Sequence, residues 1–264
     1  VLPFGWTSKD LDQAADLAAS YGAPLEDALG IWFSESGLNW RNSNVGYYGL
    51  IMGLPSFVDQ TAGMVPGTWQ RIVTNDSLST QLAAIKRFWD AQIRTWLGAK
   101  AGQEESVLKT RANALGVTPA GLLYSLNFVP AWASRAKTAD GMLVRSAELG
   151  GGDPNAPDSE ARYYKDNAPI DVTKKGYISL RDMDLRISAF KNRARNSTAT
   201  RDLFTEGSDI IPASYTSSSD SEASSSSKSS KSSFSVWPVI FAGTIIFGGL
   251  FVGLHYLEKA IPKS

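Results

Sequence analysis

The chain has 264 residues, and its 26 Lys and Arg balance 26 Asp and Glu, so no global field points to a polyanionic partner. It has no cysteine and one histidine, His255, which excludes disulfide staples, thiolate metal centres, a Cys nucleophile, a His-ligated zinc site and a Ser-His-Asp triad. No phosphate-loop or dinucleotide-binding glycine pattern is present either, so any chemistry must rest on carboxylates, hydroxyls, amides and lysines.

The opening stretch VLPFGWTSKD has neither a basic n-region nor an apolar h-region, and export by a secretory signal is not expected. Thr7 or Ser8 is placed to cap a helix in which Leu11, Ala14, Ala15, Leu17, Ala18 and Tyr21 recur at helical spacing until Gly22. A second helix is predicted from Pro24 to near Gly37, with Glu26 and Asp27 as favourable first-turn charges and Leu25, Ala28, Leu29 and Trp32 as its buried stripe. A third, from Leu78 to Leu97, places Leu82, Ile85, Trp89, Ile93 and Trp96 on one face.

Glu35 falls three residues after Trp32 and four after Ile31, near the carboxy-terminal end of the second helix. Both features disfavour the ionised carboxylate, and a raised pKa is what a general acid needs to hold its proton near neutral pH. Cleavage of a glycosidic bond has this requirement. A helix-end glutamate pointing to water fits the same spacing, so position alone leaves both roles open. Residues 36 to 58 contain no Asp or Glu; a hydrolase, which needs a second carboxylate across the cleft, would have to recruit Asp59 or Asp76.

The segments SESGLN…VGYYGLI, GLIMGLPSFVDQTAG, Gln81–Leu82 and LLYSLNFVPAW, spanning roughly residues 8 to 135, resemble the lytic transglycosylases and goose-type lysozymes, and in particular the lysozyme-like domains of phage virion proteins. The resemblance implies a mainly α, lysozyme-like domain in which Glu35 is the catalytic acid and Ser36 supports it. It implies a sugar cleft lined by Tyr48, Gly49, Leu50 and Ile51, with Tyr124 and Asn127 in the third motif, where the tyrosine orients the glutamate. It also implies a single-glutamate reaction: the acid protonates the leaving oxygen, then as a base activates the sugar's own 6-hydroxyl to close a 1,6-anhydro ring. Met52 stands where the family usually has a glutamine that binds the N-acetyl sugar. A thioether donates no hydrogen bond, so Asn39, Asn42 or Asn44 would have to replace it, or the chain is an inactive, glycan-binding relative. No cofactor and no metal is called for.

DVTKKGYISLRD, residues 171 to 182, has the outline of a calcium loop, with Asp171, Gly176 and Asp182 in place, but Lys175 puts a cation where an oxygen ligand belongs. A structural turn is expected, and similar segments follow some phage lysozyme-like domains. From Arg186 to Arg201 there are five basic residues and no acid, suited to lipid phosphates, packaged DNA or simply a solvated face. Trp40 is the best candidate for stacking on a sugar, whereas Trp89 and Trp96 read as core.

Between Ser214 and Ser235, 14 of 22 residues are serine, a composition that cannot bury enough apolar area to order itself. Val236 to Leu257 is 22 residues without Asp, Glu, Lys or Arg, enough to span a bilayer, with Trp237 and Tyr256 at its ends. The expected organisation is a transglycosylase domain at 1–150, an accessory segment at 151–212, a flexible linker at 213–235, a transmembrane helix at 236–257 and a short tail at 258–264. Expected partners are peptidoglycan, a lipid bilayer and other virion membrane proteins, with no sequence-specific nucleic acid. A wall-cutting enzyme with such an anchor fits the internal membrane of a tailless, membrane-containing phage that opens the host wall during genome entry. A hydrolytic muramidase and a transglycosylase of the bacterial cell envelope are the alternatives.

Overall fold

The structure, a computed structural model, describes residues 2–156 and 159–208 and is mainly helical. Thr7 and Asp10 cap α1 (Ser8–Ala19) reciprocally, each side chain accepting from the other's backbone N–H. Pro24 precedes α2 (Leu25–Ser36), which stops at Gly37 in the left-handed region, φ 66°. A short hairpin follows, β1 (Ser43–Asn44) with β2 (Tyr47–Tyr48), in the register Ser43 to Tyr48 and Asn44 to Tyr47. After α3 (Pro55–Thr61) and α4 (Thr68–Asn75), Ser77 caps the long α5 (Leu78–Leu97) and Gly98 ends it. The three helices read from periodicity therefore lie where they were predicted. Next come α6 (Glu104–Leu115), α7 (Pro119–Phe128) and the single turn α8 (Pro130–Ala133). The last stretch holds β3 (Val144–Arg145), α9 (Glu160–Asn167), β4 (Tyr177–Ile178), α10 (Leu180–Asn196) and α11 (Arg201–Ser208), with β3 and β4 paired antiparallel.

α2 is the central element. Leu25, Ala28, Leu29, Gly30, Ile31 and Trp32 are all buried, more than one stripe can account for, because α1, α7, α10 and α11 pack around it. Trp32, one turn before Glu35, packs on both Trp6 and Trp89, its ring centroid 6.2 Å from each and its plane within 9° of Trp89. Burying each such ring contributes roughly 2–3 kcal/mol, so the last turn of α2 has a well-anchored origin. The Trp6 indole also donates to the Leu38 carbonyl just beyond the helix, at 3.0 Å.

The region read as an accessory segment supplies α10 to this same core. Met183 and Ile187 of α10 are buried with α2 and α7, and Leu203 and Phe204 of α11 join them. A Cβ on Gly121 of α7 would lie 2.0 Å from the Asp184 carboxylate of α10, so glycine leaves that side chain the place it occupies. Asp184 in turn accepts from the Thr118 N–H at the start of α7. Glu26 and Asp27, expected to favour the helix dipole, are also paired across the interface: Lys191 meets Asp27 at 2.6 Å and Arg195 meets Glu26. The serine-rich linker, the expected transmembrane helix at 236–257 and the tail lie outside the described residues. Among the described residues no helix is long and apolar enough to cross a membrane.

Candidate active site

Glu35 ends the last turn of α2, and its two oxygens are in different situations. Oε1 accepts a 2.6 Å hydrogen bond from the Tyr124 hydroxyl of α7. Ser34 Oγ lies 3.3 Å from both Oε1 and the Tyr124 oxygen, while donating at 2.8 Å to the Ile31 carbonyl. Oε2 makes no hydrogen bond among the described residues, and Glu35 as a whole is only part-buried, so this is the oxygen left available. Burial raises the Glu35 pKa above the usual carboxylate value; the Tyr124 hydrogen bond, the Arg186 charge and the Ser34 hydroxyl only partly offset it. Burial and the neighbouring Glu35 charge push the Tyr124 phenol well up, which keeps it a donor.

Behind Tyr124 stands Arg186 of α10, buried, with Nε donating to the Tyr124 oxygen at 3.2 Å. Burial opposes the guanidinium charge, but Tyr124 and Glu35 outweigh it and its pKa is raised. Among the described residues Arg186 is the charged group that perturbs Glu35; no second carboxylate does so.

The Tyr48–Ile51 loop is tied to the end of α2 through Asn42, whose Nδ2 donates to the Ser36 carbonyl at 3.3 Å and whose own carbonyl accepts from Gly49 N–H at 2.9 Å. Tyr48 and Gly53 exchange backbone hydrogen bonds and so close the loop. Fully buried Gln81 braces it from α5: Oε1 accepts from Leu50 N–H at 2.8 Å and Nε2 donates to the Trp40 carbonyl at 2.9 Å. Gly49 has φ 78°, and a Cβ there would come within 2.8 Å of Trp69 and 2.9 Å of Gln81, so no other residue fits this turn. Leu50 and Ile51 are buried beneath the loop, leaving Tyr48, half-buried and bonded through its hydroxyl to Gln70, as the accessible side chain of the set.

Other expected residues have different surroundings. Ser36 is buried and donates to the Trp32 carbonyl at 3.0 Å, so the serine beside the carboxylate is Ser34 instead. Asn127 is half-buried one turn along α7 from Tyr124 and is not a partner of Glu35. Met52 is half-buried and sits at φ 42°, an unusual conformation for a residue with a side chain. Asn39 and Asn42 are engaged locally, while the Asn44 carboxamide makes no hydrogen bond among the described residues and is the one left available. Trp40 is buried, its indole donating to the Phe4 carbonyl and its ring covered by the Arg41 guanidinium at 4.1 Å, so it offers no open stacking face.

Both candidate second carboxylates hold structure. Buried Asp59 accepts from Gly67 and Trp69 N–H, each at 2.7 Å, and caps the start of α4; Asp76 pairs with Arg71 at 2.8 Å. In the loop at 171–182, Lys175 Nζ takes the central place: it lies 2.6 Å from Asp182 Oδ2 and 3.3 Å from the hydroxyls of Thr173 and Ser179. Asp171 accepts from the backbone of Lys175 and Gly176, which closes the turn.

Two contributors escaped the sequence reading. Ser34 precedes Glu35 in the chain, but neighbours i and i+1 do not face each other on a helix, so adjacency carried no signal. Arg186 lay in a run that looked like a basic surface, and only the docking of α10 turns it inward. Comparison with protein-family models, curated proteins and solved structures finds no match for this chain.

Proposed function

We propose that this protein cuts the MurNAc–GlcNAc strand of peptidoglycan as a lytic transglycosylase, with Glu35 as its single acid and base. The observation that carries the reading is the condition of that carboxyl, whose pKa is raised by burial, whose Oε1 is held by Tyr124 and whose Oε2 makes no hydrogen bond among the described residues. Oε2 gives its proton to the bridging oxygen as the bond from that oxygen to the MurNAc anomeric carbon breaks. The carboxylate then takes the proton of the sugar's own 6-hydroxyl, whose oxygen closes on the anomeric carbon. A 1,6-anhydro end forms, Glu35 is protonated again, and no water enters. Tyr124 donates to the carboxylate while it is charged, a charge-assisted bond that strengthens when needed. The structural engagement of Asp59 and Asp76 supports this route over hydrolysis.

The resemblance of residues 8 to 135 to the lytic transglycosylases and goose-type lysozymes supports a lysozyme-like fold for the domain. The composition of 213–235 and 236–257 supports a tethered domain anchored in a virion's internal membrane, opening the wall for genome entry. A catalytically inactive glycan-binding protein is the second reading, and Met52, which donates no hydrogen bond, favours it.

A peptidoglycan zymogram with wild type and Glu35→Gln, followed by product masses, separates these readings. Clearing by wild type alone, with anhydro ends, is expected. Products that have gained water identify a muramidase, and pelleting with peptidoglycan without clearing identifies the binding protein. Recovery only from host envelopes, never from purified particles, refutes the virion placement.

A further inference from the structure

We infer that Arg186 is a positioning residue of this site: from α10 it holds the Tyr124 hydroxyl that holds Glu35, so the acid is set only when α10 is docked on α2 and α7. The inference rests on the reading of Glu35 as the acid. Its substance is a relay of two hydrogen bonds, Arg186 Nε to the Tyr124 oxygen at 3.2 Å and the Tyr124 hydroxyl to Glu35 Oε1 at 2.6 Å. A phenol on its own has two equivalent low-energy orientations of its O–H, both in the plane of the ring. With one lone pair receiving the Arg186 N–H, the remaining low-energy direction for the proton is toward Oε1, which leaves Oε2 for substrate.

The geometry of α10 fits this role. The guanidinium is buried, a position a cation seldom takes without partners. It lies 4.7 Å from the centre of the Phe190 ring one turn further on, and Phe190 packs on Phe33 of α2 at 6.1 Å. Arg186 is thus fixed by contacts on α10 and α2 as well as by Tyr124. One turn before it, Asp182 is clamped by Lys175, which fixes where α10 begins. The region that resembles a transglycosylase ends near residue 135, so the relay adds a part from a segment outside that resemblance.

The titratable groups around Glu35 are few. From α7 it faces Tyr124 and from α10 Arg186, while Tyr163 of α9 interacts electrostatically with both Glu35 and Tyr124, and with Tyr47. Along the rest of the α2–α10 interface, Asp27 and Glu26 are paired with Lys191 and Arg195. On the neighbouring α1 and α11, Asp10 bonds Thr7 and Glu206 accepts from Ser8. Arg186 is therefore the cation whose removal Glu35 will register.

The test compares full-length wild type with Arg186→Met and Arg186→Lys, by carboxyl-carbon NMR titration of Glu35 and by kcat, KM and pH profile on peptidoglycan. Arg186→Met is expected to lower kcat about tenfold with KM within about twofold, since one charged hydrogen bond is lost. It is also expected to move the Glu35 midpoint and the alkaline limb of the profile to higher pH. Arg186→Lys restores the midpoint but only part of kcat, because an ammonium lacks the guanidinium's planar fork. In a Tyr124→Phe background, adding Arg186→Met changes kcat by less than about twofold, because the relay is already broken. An unmoved midpoint in Arg186→Met overturns the proposal, whether kcat is intact or has fallen with the melting temperature, as for a residue that only packs. Wild type without activity would refute glycan cutting instead; the NMR midpoint still decides the relay.

Discussion

Glu35 is a carboxyl divided by its surroundings: Oε1 is bonded to Tyr124, and Oε2 makes no hydrogen bond among the described residues. Its stability consequence follows from the sign of the shift. Burial raises the folded-state pKa above the unfolded value of 4.5, so folding favours the protonated form. The favourable contribution is complete below the unfolded value and is lost as pH rises through the folded pKa. Glu35→Gln, neutral at every pH, removes this loss. Thermal melts from about pH 4 to about pH 8 are expected to show wild type losing stability relative to Glu35→Gln, with the variant more stable by a few degrees at the upper end. Equal slopes for the two proteins would show that the carboxyl is not desolvated.

At the scale of elements, the hairpin beside the site holds an identifiable strain. Val45 (φ 46°) and Gly46 (φ 87°) form the two-residue connection between β1 and β2, and both are left-handed, as a type I′ turn requires. Glycine accepts that conformation, whereas a β-branched residue does so at a cost of about 1 kcal/mol or more. Val45 is 63% exposed, so packing within the described residues does not compensate. Val45→Asn, which gives the turn its preferred Asn-Gly pair, is therefore expected to stabilise the protein by about 1 kcal/mol in urea unfolding, with an unchanged m-value. A destabilised variant would show that the isopropyl group has a contact of its own. The neighbouring loop is held by the opposite means, satisfied buried groups: Gln81 has both ends of its carboxamide bonded, to Leu50 and to Trp40.

At the scale of the whole molecule, the site depends on how the end of the described chain returns to its beginning. α10 lies against α2 and α7, and its start is fixed by the Lys175–Asp182 pair, in which the Asp182 carboxylate is fully buried. The resemblance of this loop to a calcium site is one of layout: an ammonium sits among the oxygens of Thr173, Ser179 and Asp182. Removing it leaves a buried carboxylate with only the Ser179 N–H and hydroxyl to answer its charge. Lys175→Met is thus expected to destabilise the fold by about 2–3 kcal/mol in denaturant unfolding, with Lys175→Arg recovering most of it. A loss under about 0.5 kcal/mol would mean that α10 is placed by its apolar contacts alone.

The sequence by itself determined what is local. The spacing of Leu11, Ala14 and Ala18, a cap at Thr7 or Ser8 and a stop near Gly37 specify helices that the structure contains, because capping and periodicity act within a few residues. It also placed Glu35 at a helix end among apolar neighbours, and Tyr124 as its partner by resemblance. Only the tertiary structure decided which serine reaches the carboxylate, that Asp59 caps α4, that Trp40 is covered, and that Arg186 points inward rather than to solvent. The last of these joins helices whose contacting residues, Tyr124 and Arg186, are 62 apart in sequence, and there the relevant energy is desolvation of a charge. Desolvation depends on what arrives from elsewhere in the chain, and no window of neighbouring residues contains it.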